Sequence, residues 1–236
     1  MIDAQRYESW FETPFGSRTD RVERRILVNL LAGLEGAESL LDVGCGTGHF
    51  VNLWQSSGLA AVGLDISPKM LQFAHRQHTG FPTVLGDATA LPFRDASFDV
   101  VALVTALEFL PSPGEALREA ERVARKGILL GVLNRLSPVA WWRRARRARP
   151  YRDARFFFPG ELERLVRDSL RHREIVVEGK SGLYPLPLMD RLTRLPFGAF
   201  IGMSIRFDSS IQGGFYASGS AGKRLPSPPA QAFPGY

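Results

Sequence analysis

Short hydrophobic runs alternate with amphipathic stretches through the middle of the chain. The runs predict five β-strands, at residues 40–43, 60–65, 82–85, 98–104 and 126–133. The stretches between them have helical periodicity and predict three helices. One is at about 49–57, one begins at Ser67 with Pro68 in its first turn, and one runs from Ser112 to about Ala124. Strands that alternate with helices are typical of βαβ units, in which neighbouring strands run parallel.

The chain after residue 133 departs from this alternation. One helix is predicted at 160–170, and two late strands are predicted at 174–178 and 199–207. Ser112-Pro113-Gly114-Glu115 has the composition of a capping box at the start of the preceding helix. The predicted fold class is α/β, with a doubly wound, seven-stranded, mostly parallel sheet that ends in an antiparallel late strand pair.

The same pattern divides the chain into segments. We expect a helical lid or cap in residues 1–36 and the main domain in residues 37–207, with insertions at 134–159 and 182–198 beside the site. Fourteen of the 29 residues in 208–236 are Gly, Ser or Pro. This tail is therefore expected to bury little surface and to be mobile or weakly docked.

Composition narrows the class of protein. With 44% hydrophobic and 23% charged residues, the chain is typical of a globular domain and unlike a disordered one. No apolar run reaches the ~20 residues that span a membrane, and the N-terminus lacks the pattern of a secretory signal. Cys45 is the only cysteine, which excludes an internal disulfide and a cysteine-based zinc site. A cytoplasmic location is therefore expected.

The positive net charge is concentrated in one place, which we call the Arg-rich segment, from Arg143 to Arg152. Its six arginines equal the net charge of +6, so the rest of the chain is charge-balanced and a general nucleic-acid-coating surface is not supported. Together with Trp141 and Trp142, the segment suits a phosphate-bearing substrate, an anionic lipid surface or RNA. We interpret it as an insertion that lines or covers a substrate pocket, with a solvated basic helix as the alternative.

A glycine-rich turn follows the first predicted strand, in Asp42-Val43-Gly44-Cys45-Gly46-Thr47-Gly48. Such a turn brings bare backbone against a ligand, because side chains at these positions would hold it away. A dinucleotide fingerprint needs a third glycine where this chain has His49. A phosphate-binding P-loop is also excluded, because Gly179-Lys180-Ser181 is preceded by Glu174 at the position that requires glycine.

The turn matches the remaining pattern, D-x-G-x-G-x-G, at every defined position, and three further motifs follow in order. The first is the stretch 63–70, which contains the acid Asp65. The second is Gly86-Asp87-Ala88, followed by residues 91–93 and 97–100. The third runs from Arg122 to Gly127. With these motifs the sequence resembles the class I S-adenosylmethionine-dependent methyltransferases, in particular the branch of the ubiquinone and menaquinone C-methyltransferases. The resemblance covers roughly residues 7–207 and implies a Rossmann-like methyltransferase domain.

The resemblance also implies a set of residues that bind S-adenosylmethionine: Asp42, Gly44, Cys45, Gly46, Gly48, Asp65, Ile66, Met70, Asp87, Ala88 and Thr105. Asp65 would accept both ribose hydroxyls. Asp87 would accept the adenine amino group, with the Ala88 N–H facing the ring and Ile66 and Met70 packing on the ring faces. Asp42 and the loop backbone would face the methionyl amino end, and Thr105 would lie beside the sulfonium.

Several of these residues have a structural alternative. Asp87 can be a turn residue, Met70 a core residue, and Asp42 a side chain that stabilises the loop by local hydrogen bonds. We expect Cys45 to pack beneath the loop and not to react, since no neighbouring residue supplies a base that would stabilise a thiolate.

The acceptor is expected at the carboxyl ends of the strands. Glu108 is the candidate catalytic residue, placed to orient or deprotonate an acceptor, with a structural carboxylate as the alternative. Asn134 could hydrogen-bond the substrate or cap its loop. Tyr7 and Trp10 are candidate lid residues, because in related enzymes the N-terminal segment often folds over the cofactor, and a helix on the sheet flank is the alternative. Tyr151 in the Arg-rich segment is a further substrate candidate.

The four histidines show no metal-ligand grouping, and most are expected to be solvated. The resulting hypothesis is a cytoplasmic methyltransferase that acts on a small-molecule or lipid-like acceptor and releases S-adenosylhomocysteine. Two alternatives remain. One is an RNA or protein methyltransferase that uses the Arg-rich segment, and the other is a noncatalytic S-adenosylmethionine-binding module. Peripheral contact with an anionic membrane is also compatible with the charge pattern.

Overall fold

The computed structural model describes residues 3–77, 80–137, 154–182, 192–193 and 198–208. One mixed sheet lies at its centre. Its strands are β1 (Ser39–Val43), β2 (Ala60–Asp65), β3 (Thr83–Leu85), β4 (Phe98–Val104), β5 (Ala124–Leu133), β6 (Ile175–Gly182), β7 (Leu192–Thr193) and β8 (Phe200–Phe207). The strand order is β3-β2-β1-β4-β5-β8-β6-β7.

The first five strands are parallel to one another, whereas β8 is antiparallel to β5, β6 to β8 and β7 to β6. The predicted α/β fold class is confirmed, and so is its antiparallel late pair, formed by β6 and β8. The two-residue strand β7 is an addition at the far edge, inside the predicted insertion 182–198.

Helices cover both faces of the sheet. They are α1 (Ala4–Glu12), α2 (Pro14–Leu31), α3 (His49–Ser56), α4 (Pro68–Gln77), α5 (Pro113–Val123) and α6 (Pro159–Ser169), with a short 3₁₀-helix, η1, at Leu107–Phe109. The predicted capping box is wrong in detail. The Ser112 hydroxyl makes no capping bond, because its backbone (φ −122°, ψ 71°) is outside the usual cap geometry. Its carbonyl accepts the Glu115 N–H instead.

Alternate residues of the strands pack into two separate hydrophobic layers, as the pleat of a strand requires. One layer joins α2, α3 and α4 to the sheet and includes Ile26 and Trp54, neither of which is exposed. The other joins α5 and α6 to the opposite face and includes Leu117 and Leu162. This two-sided covering leaves the carboxyl ends of β1 to β5 at one edge of the sheet, where their connecting loops meet.

Some expectations lie outside the described residues. They include the Arg-rich segment, residues 209–236 of the predicted tail, and most of the insertion 182–198. In the part of the chain that the structure describes, no helix is both long and apolar enough to cross a membrane.

Candidate active site

The glycine loop, residues 44–48, turns away from the carboxyl end of β1. Gly44, Gly46 and Gly48 all have positive φ, at 76°, 56° and 85°. A Cβ at Gly48 would collide with the Phe81 ring, and one at Gly44 would lie 2.7 Å from the Cβ of Ala106. A Cβ at Gly46, in contrast, would meet no atom of the described part of the chain within 4 Å. The outer glycines are therefore required by packing, whereas the middle one faces open space.

Asp65 ends β2 and is bonded directly to this loop. Its Oδ2 accepts the Gly46 N–H at 2.9 Å, and its Oδ1 accepts the Ser67 N–H at 2.8 Å. Burial raises the pKa of Asp65 above its ordinary value, against the opposing effect of these backbone donors. Each carboxylate oxygen has a second lone pair, so the group can accept two further hydrogen bonds from a ligand.

Apolar side chains follow Asp65 along the same edge. Ile66 is 68% exposed and Leu85, at the end of β3, is 58% exposed. Solvated side chains of this size next to a polar loop suit the face of an aromatic ring. Met70 is buried, which agrees with its structural alternative.

Asp87 follows β3 and stabilises its own turn. Its Oδ1 accepts both the N–H and the hydroxyl of Thr89, each at 2.8 Å. These two bonds lower the pKa of Asp87. The side chain is exposed and the following Ala88 is buried. These contacts agree with the structural alternative, in which Asp87 is a turn residue. Its carboxylate is nevertheless exposed and can accept further hydrogen bonds from a ligand.

Two of the predicted cofactor residues, Asp42 and Cys45, have buried side chains. Asp42 is 2% exposed and accepts a hydrogen bond from Nε1 of Trp54 at 3.2 Å. Burial raises the pKa of Asp42 to about 7. Cys45 packs against Gly63, where a Cβ would lie 2.8 Å from its Sγ, and burial raises the pKa of its thiol. The expected packing role of Cys45 agrees with these contacts.

Thr105 marks the end of β4. Its φ is +50°, which is a strained conformation for a β-branched residue, and its N–H donates to the Gly131 carbonyl at 2.7 Å. Such strain persists where the surrounding structure holds it, and it clusters at functional sites.

Glu108 lies in η1, three residues after Thr105, and is buried. Its Oε1 accepts the Leu133 N–H at 2.6 Å, and its buried Oε2 has no hydrogen-bond partner among the residues that the structure describes. Burial raises the pKa of Glu108 to about 7. The carboxyl therefore joins the ends of β4 and β5.

Asn134 follows β5 and is fully buried. Its Nδ2 donates to the Gly198 carbonyl at 2.6 Å, and its Oδ1 accepts the Leu136 N–H at 3.0 Å. These contacts are those of the loop-capping alternative.

His49 is the exception to the expectation that most of the histidines are solvated, among those that the structure describes. It begins α3, its side chain is 12% exposed, and its Nε2 lies 2.7 Å from Oδ1 of Asp20. His75 and His172 are exposed, and His78 lies outside the described residues. The sequence did not single out His49, because its neighbours come from helices α1 and α2, which are distant in sequence.

Helix α1 contacts the loop through residues that the sequence did not single out. Oε2 of Glu8 accepts the Thr47 hydroxyl at 2.7 Å, and the Phe11 ring stacks on His49 with centroids 3.6 Å apart. The predicted lid residues Tyr7 and Trp10 flank Phe11 in edge contacts at 5.3 and 5.0 Å. The short spacing of Glu8 and Phe11, which places both on one helix face, was the available signal. Tyr151 lies outside the described residues.

Comparison with known proteins adds to this geometry. Residues 41–131 match the family described as "Methyltransferase domain". An uncharacterized protein of Mycobacterium tuberculosis is 34% identical over 177 residues, which are 71% of this chain and 58% of that protein. A demethylmenaquinone methyltransferase of Renibacterium salmoninarum is 38% identical over 104 residues, 44% of each chain. The chain thus spans about half the length of these curated relatives.

A solved structure extends the likeness to most of the chain. It is a protein from Thermotoga maritima, described as an S-adenosylmethionine-dependent methyltransferase and possible histamine N-methyltransferase. The two sequences are 25% identical, the TM-score is 0.69, and the match covers 86% of this chain and 96% of that one.

Proposed function

Because the chain belongs, through its domain at residues 41–131, to the class I S-adenosylmethionine-dependent methyltransferases, we propose that it methylates a small-molecule or lipid-like acceptor. The reaction would leave S-adenosylhomocysteine as its second product. A cytoplasmic location, expected from the single cysteine, is part of this proposal.

One observation carries the cofactor part of the proposal: the open space in front of Gly46 lies beside the Asp65 carboxylate. This cradle fits a nucleoside, because a backbone without side chains meets an acid that can accept two hydroxyls. Asp65 would hold the ribose, Ile66 would contact the base, and the loop backbone would face the methionyl end. When bound, S-adenosylmethionine supplies a methyl group already activated on a positively charged sulfur.

The protein's own contribution to such a reaction is mainly to position and enclose the acceptor. Proximity and orientation can supply roughly 7–11 kcal/mol of a barrier, so a base is optional. We assign Glu108 to positioning, because its carboxyl ties η1 to the exit of β5. Thr105 would hold the backbone of the site in its strained form.

Exposed apolar side chains support an acceptor with a hydrophobic part. Phe109, at the end of η1, is 39% exposed, and Leu136, after β5, is 42% exposed. Both follow strands whose carboxyl ends border the acceptor side in open α/β sheets. The name of the quinone-methylating relative agrees with such an acceptor.

The cofactor part is tested by replacing Asp65. A carboxylate that accepts hydroxyls contributes about 1.5–3 kcal/mol, so D65A should weaken binding of S-adenosylhomocysteine roughly ten- to a hundredfold by calorimetry. The matched control is D168A, which removes a half-exposed acid on α6. Equal affinities in D65A and D168A would contradict the assignment.

The acceptor part is tested by methyl transfer. The protein is incubated with methyl-labelled S-adenosylmethionine and cell extract, and the extract is separated into small molecules, lipids, RNA and protein. Label in the small-molecule or lipid fraction is the expected result. Label in RNA, with binding that falls steeply as salt rises, would favour the alternative that uses the Arg-rich segment. Tight cofactor binding without label in any fraction would indicate a noncatalytic module.

A further inference from the structure

A tight corner directs α1 across the edge of the sheet that carries the glycine loop. The Thr13 hydroxyl donates to the Trp10 carbonyl at 2.7 Å and accepts the Gly16 N–H at 3.0 Å. A Cβ at Gly16 would collide with the Trp10 carbonyl, so glycine is needed for this close approach. Helix α2 is anchored in the core, and α1 extends from it over the loop to contact α4.

Glu8 of α1 contacts both the glycine loop and the first residue of α3. Its Oε2 accepts the hydroxyl of Thr47, which is fully buried, and its Oε1 lies 3.6 Å from Nδ1 of His49. Thr47 stands next to Gly46, whose open face was assigned above to the nucleoside. A change in α1 would therefore be transmitted directly to that space.

His49 links α1 to α2. Its Nδ1 faces Glu8, and its Nε2 faces both Asp20 at 2.7 Å and the Arg24 guanidinium at 2.9 Å. Asp42, beneath the loop, also acts on it electrostatically. Burial lowers the pKa of His49, but its hydrogen bonds to Asp20 and Glu8 outweigh burial and raise the pKa above its ordinary value. The charged ring can donate to both carboxylates at once, even though Arg24 and the N-terminus of α3 oppose the charge.

We propose that Glu8 is a positioning residue for the cofactor, which holds α1 closed over the space beside Gly46 and Asp65 by binding Thr47 and His49 together. This inference rests on the proposed function. Release of the nucleoside requires α1 to open, and opening breaks both contacts of Glu8. The closed form also retains a proton on His49, so closure weakens as the pH rises and the ring becomes neutral.

The test measures S-adenosylhomocysteine binding by calorimetry and its dissociation rate by stopped flow, in the full chain. Four proteins are compared at about pH 6 and about pH 8.5: wild type, E8Q, E8A and E12Q. Glu12 is exposed on the same helix and serves as the control. Loss of one charge-assisted contact is expected to raise the dissociation constant about tenfold in E8A and about threefold in E8Q, which keeps an acceptor for Thr47. E12Q should match the wild type.

The pH comparison separates positioning from simple stabilisation of the fold. Wild-type affinity should fall several-fold between the two pH values, and the fall should be smaller in E8Q. Asp42 titrates in both proteins, so the difference between them reports the Glu8–His49 contact. A structural role alone would lower the melting temperature of E8A and leave the pH dependence intact. Affinities equal to that of E12Q, or an unchanged pH dependence in E8Q, would overturn the proposal. A wild type that does not bind the nucleoside would instead overturn the proposed function.

Discussion

At the scale of single residues, the glycines of the loop have different physical tasks. Gly48 leaves room for the Phe81 ring and Gly44 for Ala106, so both serve the packing of the loop itself. At Gly46 the positive φ favours glycine, but a Cβ would not disturb any packing among the described residues. A glycine whose missing side chain leaves open space next to a carboxylate is the residue most directly tied to a ligand.

This distinction predicts the effect of G46A. Alanine at positive φ costs about 1–2 kcal/mol, and its methyl group would occupy the space assigned to the nucleoside. We expect a modest loss of stability in urea unfolding and at least a tenfold loss of affinity for S-adenosylhomocysteine. G58A is the matched control, because Gly58 has φ +87° and open space but lies after α3. It should lose similar stability and no affinity. Equal affinity losses in the two variants would refute the assignment.

At the scale of elements, two buried carboxyls join the site to its scaffold. Glu108 connects η1 to the end of β5, and Asp42 connects the end of β1 to Trp54 of α3. Both lie in surroundings of low polarity, which raise their pKa values to about 7. The free-energy penalty for burying each carboxyl group is therefore smaller when the group is protonated.

This burial predicts a pH dependence of stability. The folded pKa of Glu108, about 7, lies above its ordinary value of 4.5, so the folded state binds the proton more tightly. The resulting stabilisation is present below about pH 4.5 and is lost as the pH rises through 7. E108Q keeps the acceptor for the Leu133 N–H and cannot ionise. From pH 5 to 8 the wild type should therefore lose on the order of 2 kcal/mol more than E108Q.

Urea unfolding at several pH values measures this difference. E115Q, which changes an exposed acid in the first turn of α5, is the control and should follow the wild type. If E108Q and the wild type lose stability in parallel, Glu108 does not titrate in this range. A large loss of methyl transfer in E108Q with unchanged cofactor affinity would instead make Glu108 a base for the acceptor.

At the scale of the whole molecule, α2 connects α1 to the core. It lies against β8, where Gly202 leaves room for Ile26 and Leu30. Both side chains are fully buried. Helix α1 is joined to α2 at Thr13. The position of α2 on the sheet therefore also sets the position of α1 relative to the glycine loop.

Close packing between α2 and β8 predicts that G202A is destabilising. Its Cβ would collide with the Ile26 side chain, and overpacking of this kind costs about 1–3 kcal/mol. G160A is the control, because a Cβ at Gly160, in the first turn of α6, would meet no atom within 4 Å among the described residues. G160A should be neutral or slightly stabilising in urea unfolding. Equal stability of G202A and G160A would show that α2 can shift to accommodate the methyl group.

Much of this architecture was predictable from local patterns. The bounds of β2 and β4 agree with the predicted ranges 60–65 and 98–104, because both strands are mostly apolar and bounded by turns. The glycine spacing indicated the loop, and the lone Cys45 indicated a packing role. These properties depend on neighbours in sequence, so they can be read without knowing the fold.

The contacts that define the site were not predictable in this way. Glu8 and Thr47 are 39 residues apart, and Asp20 and His49 are 29 apart. Glu108 and Asn134 had the right residue types for chemistry, but the packing around them encloses one and commits the amide of the other to the backbone. Local patterning was enough for the elements and the cofactor loop, since periodicity and glycine geometry act over a few residues. Which polar side chains remain open to a ligand depends on burial and on distant partners, and these exist only once the helices have packed on the sheet.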